Sequence, residues 1–270
     1  MFFLLLRLII APLVVIAGTL AQRRFGHAIS GLIIGLPLTS LPMLVLVTLQ
    51  HGTSFATSMS NADLIGSLAE VAVMLVYVQL ATRLPPWLTL LGALGAFVAS
   101  AAGVHLFAFT TLLGGVLAMA GFAVALRYWP RSRPEPTQNG RHRLALRAVL
   151  SAGFTFLVIS SAGRIGPELA GLAAAFPVMS MVMAFVTHQE LGADASSRFL
   201  QGVAKGSFSY VASIFAFTEF LRTGNVWIAF LAALSVALIV QLIVQLVDSL
   251  PNVKRVLRMP IIGAKVALES

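Results

Sequence analysis

No cysteine occurs in the 270 residues. Its absence excludes disulfides, thiolate nucleophiles, cysteine-held metals and iron–sulfur clusters, and leaves the compartment undecided. Acids are scarce too, nine against eighteen Lys and Arg, and charged residues make up only 10% of the chain. Several sequence patterns of known chemistry are missing: GxxxxGK[ST], HExxH, GxSxG, and any close cluster of His and carboxylates. The five His are scattered. His188-Gln189-Glu190 with Asp194 reads as a solvated cytoplasmic loop rather than a weak metal site. No enzymatic activity, cofactor or metal is expected.

What fills the chain instead is apolar. Hydrophobic residues reach 59% and the mean hydropathy is +0.95, more apolar surface than a water-soluble domain of this size buries. The apolar runs approach the roughly 20 residues that cross a bilayer as helix, and are too continuous for membrane strands, which alternate over about 10. The fold class is therefore an all-α integral membrane protein. The net charge of +9 comes from residues in short connections and near the C-terminus, so membrane orientation accounts for it and nucleic acid is not an expected partner.

Nine spans are expected, over residues 2–21, 27–49, 63–82, 87–103, 105–128, 144–162, 167–188, 197–221 and 225–249. The first contains Arg7 and Pro12 and reads as a span, not a cleavable signal. Basic residues gather in alternate connections, at Arg24, at Arg83, in the Pro-rich linker 130–143 and in the tail 252–268, which suits an anionic inner leaflet. By the positive-inside rule these are cytoplasmic, which places the N-terminus outside a plasma membrane, a bacterial inner membrane, and the C-terminus inside. Trp87 and Trp227 suit headgroup anchors, and Pro85-Pro86 suits a helix start.

One stretch occurs twice. Residues 24–43 and 164–183 align without a gap at an offset of 140, with seven identities: Arg24/Arg164, Gly26/Gly166, Gly31/Gly171, Leu32/Leu172, Pro37/Pro177, Ser40/Ser180 and Met43/Met183. The offset also pairs Gly52 with Gly192, Gly66-Ser67 with Gly206-Ser207, and Trp87 with Trp227. Four-span repeats over residues 1–104 and 144–250 follow, joined by a linking span and basic linker at 105–143 and followed by the tail 251–270. With one span between them, the second repeat inserts upside down relative to the first, an arrangement found in many secondary transporters.

Pro37 and Pro177 fall inside the second and seventh spans, where each removes a backbone hydrogen bond. With Gly31, Gly171, Thr39, Ser40 and Ser180 around them, the paired breaks point to a polar centre. The blander alternative is a pair of kinks that let Gly faces pack. Glu70 is the deepest acid, on one face of the third span with Asp63, Ser67, Met74 and Tyr77, about 10 Å from the span's outer end. It could serve as proton carrier, cation ligand or counter-ion to a basic substrate, or simply as a hydrogen-bonded carboxyl. Lys205, on a stripe with Ser209, could bind an anionic group or snorkel to the headgroups. Glu219 is expected to pair with Arg222 at a helix end. Gln241, Gln245 and Asp248 suggest a hydrogen-bonded helix seam. Arg24 and Arg164 precede the broken helices and could gate or merely anchor them.

The function expected from these features is a small secondary transporter, with proton coupling through Glu70, moving a small solute around Pro-broken helices. Its partners would be membrane lipids and that solute. Two other readings stay open: a flippase or intramembrane lipid-handling protein, and a non-transport scaffold subunit.

Overall fold

The computed structural model describes residues 20, 24, 27–38, 40–106, 110–130, 132, 168, 171, 172 and 175–249. Six helices carry these residues: α1 His27–Ile34, α2 Ser40–Ala81, α3 Pro86–His105, α4 Thr111–Arg127, α5 Val178–Leu221 and α6 Val226–Ser249. No strand occurs among the described residues. Three helices are long and apolar enough to cross a membrane, α2, α6 and residues Pro86–Val104 of α3, while α4 is a shorter apolar helix. The expected first span apart from residue 20, the sixth span, the tail and the linker apart from residues 130 and 132 lie outside the described residues, as do Thr39 and Arg164.

The second span departs from a single kinked helix. α1 stops at Ile34, Gly35 N–H donates to Gly31 O at 2.8 Å, Leu38 N–H reaches back to Leu36 O at 2.8 Å, and helix resumes at Ser40. The second half repeats this residue for residue. Ala175 N–H donates to Gly171 O at 3.0 Å, and Val178 N–H to Phe176 O at 2.8 Å. Pro177, at φ −80° and ψ 66°, is the centre of an inverse γ-turn. A proline supplies the required φ and has no N–H to lose, so the helix breaks fully instead of bending.

The connections expected around His51–Asp63 and His188–Asp194 are not loops. Each is helical except at one glycine, Gly52 (φ 85°, ψ 170°) and Gly192 (φ 85°, ψ 177°). That conformation is open to glycine and strained for any side chain, so a single residue reverses the chain between two helical arms. The helical arm that holds the expected third span therefore begins ten residues earlier than that span, and the arm that holds the expected eighth likewise begins just after Gly192. Asp63 is 2% exposed instead of sitting at a membrane end, and Glu70 lies about 27 Å along the arm from Gly52, at 1.5 Å per residue, instead of 10 Å from an outer end. His188 is also buried.

The next helices begin at mates through different chemistry. α3 starts with Pro86 in its first turn, as expected, whereas Asn225 Oδ1 caps α6 by accepting from Trp227 N–H at 3.0 Å and Ile228 N–H at 3.3 Å. Trp87 and Trp227 are 57% and 58% exposed. Leu231, Leu238, Leu242 and Leu246 form an exposed stripe along α6, a surface suited to lipid. α4 runs against both long arms, tied to one by Thr111 Oγ1 donating to Asn61 Oδ1 at 2.7 Å and to the other by Trp129 Nε1, just past its end, donating to Ser197 Oγ at 3.1 Å.

The halves hold each other by exchange. A Cβ on Gly31 would lie 2.0 Å from Phe199 O and 2.8 Å from Val203 N; a Cβ on Gly171 would lie 2.3 Å from Met59 O and 3.0 Å from Asp63 N. Phe199 and Met59 are mates at the 140 offset, as are Val203 and Asp63. Gly35 meets Gly206 in the same way, and its mate Ala175 meets Gly66. Each half thus lays its broken helix across the other half's long arm, at a distance only glycine allows.

Candidate functional site

The arms after Gly52 and Gly192 pack against each other with their partners in reverse order. Thr218 Oγ1 donates to Ser60 Oγ at 2.9 Å, Tyr210 Oη to Asp63, and Ser207 Oγ faces Glu70. As numbers rise along one arm they fall along the other. The centre of this crossing lies at Gly66-Ser67 and its twin Gly206-Ser207, whose hydroxyls bond carbonyls on their own helices, Asp63 O at 3.2 Å and Val203 O at 3.1 Å.

Around that centre stands a ring of polar side chains in an otherwise apolar interior. Asp63 and Glu70 are seven residues apart, two turns of one helix face; Ser207 and Tyr210 are three apart on the facing helix. Tyr210 Oη contacts both carboxylate oxygens of Asp63, at 2.7 Å and 2.9 Å. Ser207 Oγ lies 3.4 Å from Glu70 Oε1. Ser40, at the start of α2 just past the break, lies beside the Tyr210 hydroxyl. Met59, Leu64, Met74, Phe199 and Phe217 fill the surrounding core. Acids buried in such a surround are costly unless hydrogen-bonded, neutralised or joined by a cation.

The expected site residues divide cleanly. Ser40 and Glu70 join the ring, Ser180 is buried beside the second break, and Pro37 and Pro177 make the breaks. Lys205, expected to bind an anionic group or to snorkel, is paired with Asp248 on α6. Ser209 donates to Gln241 Oε1 at 2.7 Å, so that stripe is the helix seam, from which exposed Gln245 is left out. Glu219 pairs with Arg222 at 3.2 Å, as expected of a helix end. Gly31 and Gly171 act as packing contacts, and Arg24 is exposed.

Three ring members were not read as site residues in the sequence. Ser207 stood out only through the repeated Gly-Ser pair. Tyr210 is the offset mate of Glu70, a signal available once the repeat is known. Asp63 was placed on Glu70's face but at the wrong depth. Near one end of the arm, the Tyr77 hydroxyl lies 3.5 Å from His188 Nδ1, tying the arm to the helix before Gly192. No group of three His, Cys, Asp or Glu able to hold a metal occurs among the described residues. No known family model, curated protein or solved structure matches the chain. Functional argument therefore rests on the ring, a set of carboxylates and hydroxyls of the kind that can hold a proton or a cation.

Proposed function

We propose that the protein is a small ion-coupled secondary transporter of the bacterial inner membrane. It would work by alternating access about the Asp63–Glu70–Ser207–Tyr210 ring, with nine spans in two inverted four-span repeats and a linking fifth helix. The observation that carries this is the position of Glu70, buried where two symmetry-related arms cross with their partners in reverse order. Mates that run in opposite directions are what inverted repeats place at a shared axis, and transporters of that build bind substrate and ion there, beside broken helices. The exchanged glycine crossings supply smooth surfaces on which one half can rock against the other.

The absence of cysteine allows a direct test. Single cysteines at position 40 or 180 should react with a membrane-impermeant maleimide in both right-side-out and inside-out vesicles, because each is exposed to either side in turn. Glu70→Gln should bias that reactivity toward one side. If neither position reacts from either side, the ring is a static seam and the protein is no transporter.

A further inference from the structure

The ring's two carboxyls are served differently. The Tyr210 hydroxyl donates to Asp63 across 2.7 Å and 2.9 Å, one contact to each oxygen. A hydroxyl that donates to an ionised carboxylate closes to about 2.5–2.7 Å, and the shorter Asp63 contact reaches that range. Glu70, 6% exposed, has one hydrogen-bond partner among the described residues, Ser207, whose Oγ stands 3.4 Å from Oε1. That distance exceeds the usual O–H···O range of about 2.5–3.0 Å and is longer still for a charged acceptor. The titratable groups facing Glu70 among the described residues are Asp63 on its own helix and Tyr210 on α5; no Lys, Arg or His does so from any helix packed against α2.

Ser207 has one hydroxyl hydrogen and two acceptors in reach, Glu70 Oε1 and, at 3.1 Å, Val203 O on its own helix. With Glu70 ionised, the hydrogen turns to the carboxylate. With a proton on Glu70, the acid donates to Ser207 Oγ and the serine hydrogen turns to Val203 O, so the contact is hydrogen-bonded in either state. Nothing covalent changes except the O–H bond that the added H⁺ makes to a carboxylate oxygen. The ring then holds one negative charge in the apolar interior instead of two, and that charge stays on Asp63, where Tyr210 serves it. The twin hydroxyl, Ser67, has only the backbone acceptor Asp63 O among the described residues, so the two-way hydroxyl belongs to Glu70 alone.

We propose that Glu70 carries one exchangeable proton while Asp63 stays ionised, and that this proton is the coupling ion of the transporter proposed above, on which the coupling role rests. Infrared spectra of the full chain in detergent at neutral pH should show the carbonyl stretch of an un-ionised carboxylic acid, shifted in D₂O because the proton exchanges. Glu70→Gln should remove that band and keep the wild-type gel-filtration profile; Glu70→Asp should keep a band at a changed frequency. In oriented vesicles, lowering the pH should move the ratio of labelling at position 180 from the two faces toward the ratio that Glu70→Gln, which mimics the protonated acid, shows at every pH. A band absent from the wild type, unshifted in D₂O or retained in Glu70→Gln overturns the proton site. A band that behaves as expected beside labelling indifferent to pH overturns the coupling role alone, and labelling that fails from both faces overturns the transport function but not the proton site.

Discussion

Replacing Gly31 by Ala is the sharpest test of how the halves are joined. The added methyl would stand 2.0 Å from the carbonyl oxygen of Phe199 and 2.8 Å from the amide of Val203. Real Cβ contacts essentially never fall under 3.0 Å, so α1 must retreat from α5 by about 1 Å. No side chain can rotate away, because the atoms it meets are backbone. Overpacking of this kind costs about 1–3 kcal/mol, and with rigid neighbours the upper end applies. A loss of about 3 kcal/mol lowers the thermal midpoint by roughly 6–12 °C, read by tryptophan fluorescence in detergent. Gly171→Ala, 2.3 Å from Met59 O, should cost nearly as much. Gly95→Ala is the control: nothing lies within 4 Å of its Cβ, and a mid-helix Gly-to-Ala change should gain about 0.5–1 kcal/mol. If Gly31→Ala melts with the wild type, the α1–α5 crossing is wrong.

Two further perturbations probe the turns and the ring. Gly52→Ala and Gly192→Ala should each cost about 1–3 kcal/mol through backbone strain alone, since both have φ 85° and nothing crowds either site; markedly unequal melting shifts for the two would deny that they are structural equivalents. Tyr210→Phe should cost about 1–3 kcal/mol by leaving Asp63 buried without its donor. A double-mutant cycle with Asp63→Asn should then show a coupling of at least about 0.5 kcal/mol, and additive effects would refute the contact.

The helical membrane class was legible from apolar runs alone, because a spanning helix must satisfy its backbone internally and so announces itself by composition. The offset of 140 was equally legible, and the paired breaks at Pro37 and Pro177 followed from the ring's missing N–H. The turns at Gly52 and Gly192 were not. Their flanks, with His51, Thr53 and Ser54 in one half and Gln189, Glu190 and Asp194 in the other, are polar enough to resemble loops, and only the φ of one glycine shows that helix continues on both sides. That one misreading displaced Asp63 from the interior to a surface. The partner of Lys205 was illegible for a different reason: Asp248 lies 43 residues away, a contact no local spacing encodes. Tyr210 reads as an ordinary membrane aromatic until its mate, Glu70, is known to be buried opposite.

The central claim is that the two halves stand in opposite senses across the bilayer. Arg83 and Thr223 are offset mates, both exposed, in the turns that follow the two long arms. Single cysteines at these positions, in a chain with none of its own, should react with an impermeant maleimide from opposite faces of oriented vesicles, position 83 from the cytoplasmic side and position 223 from the outside. Labelling of both from the same face would contradict the inverted repeat and the transport mechanism built on it.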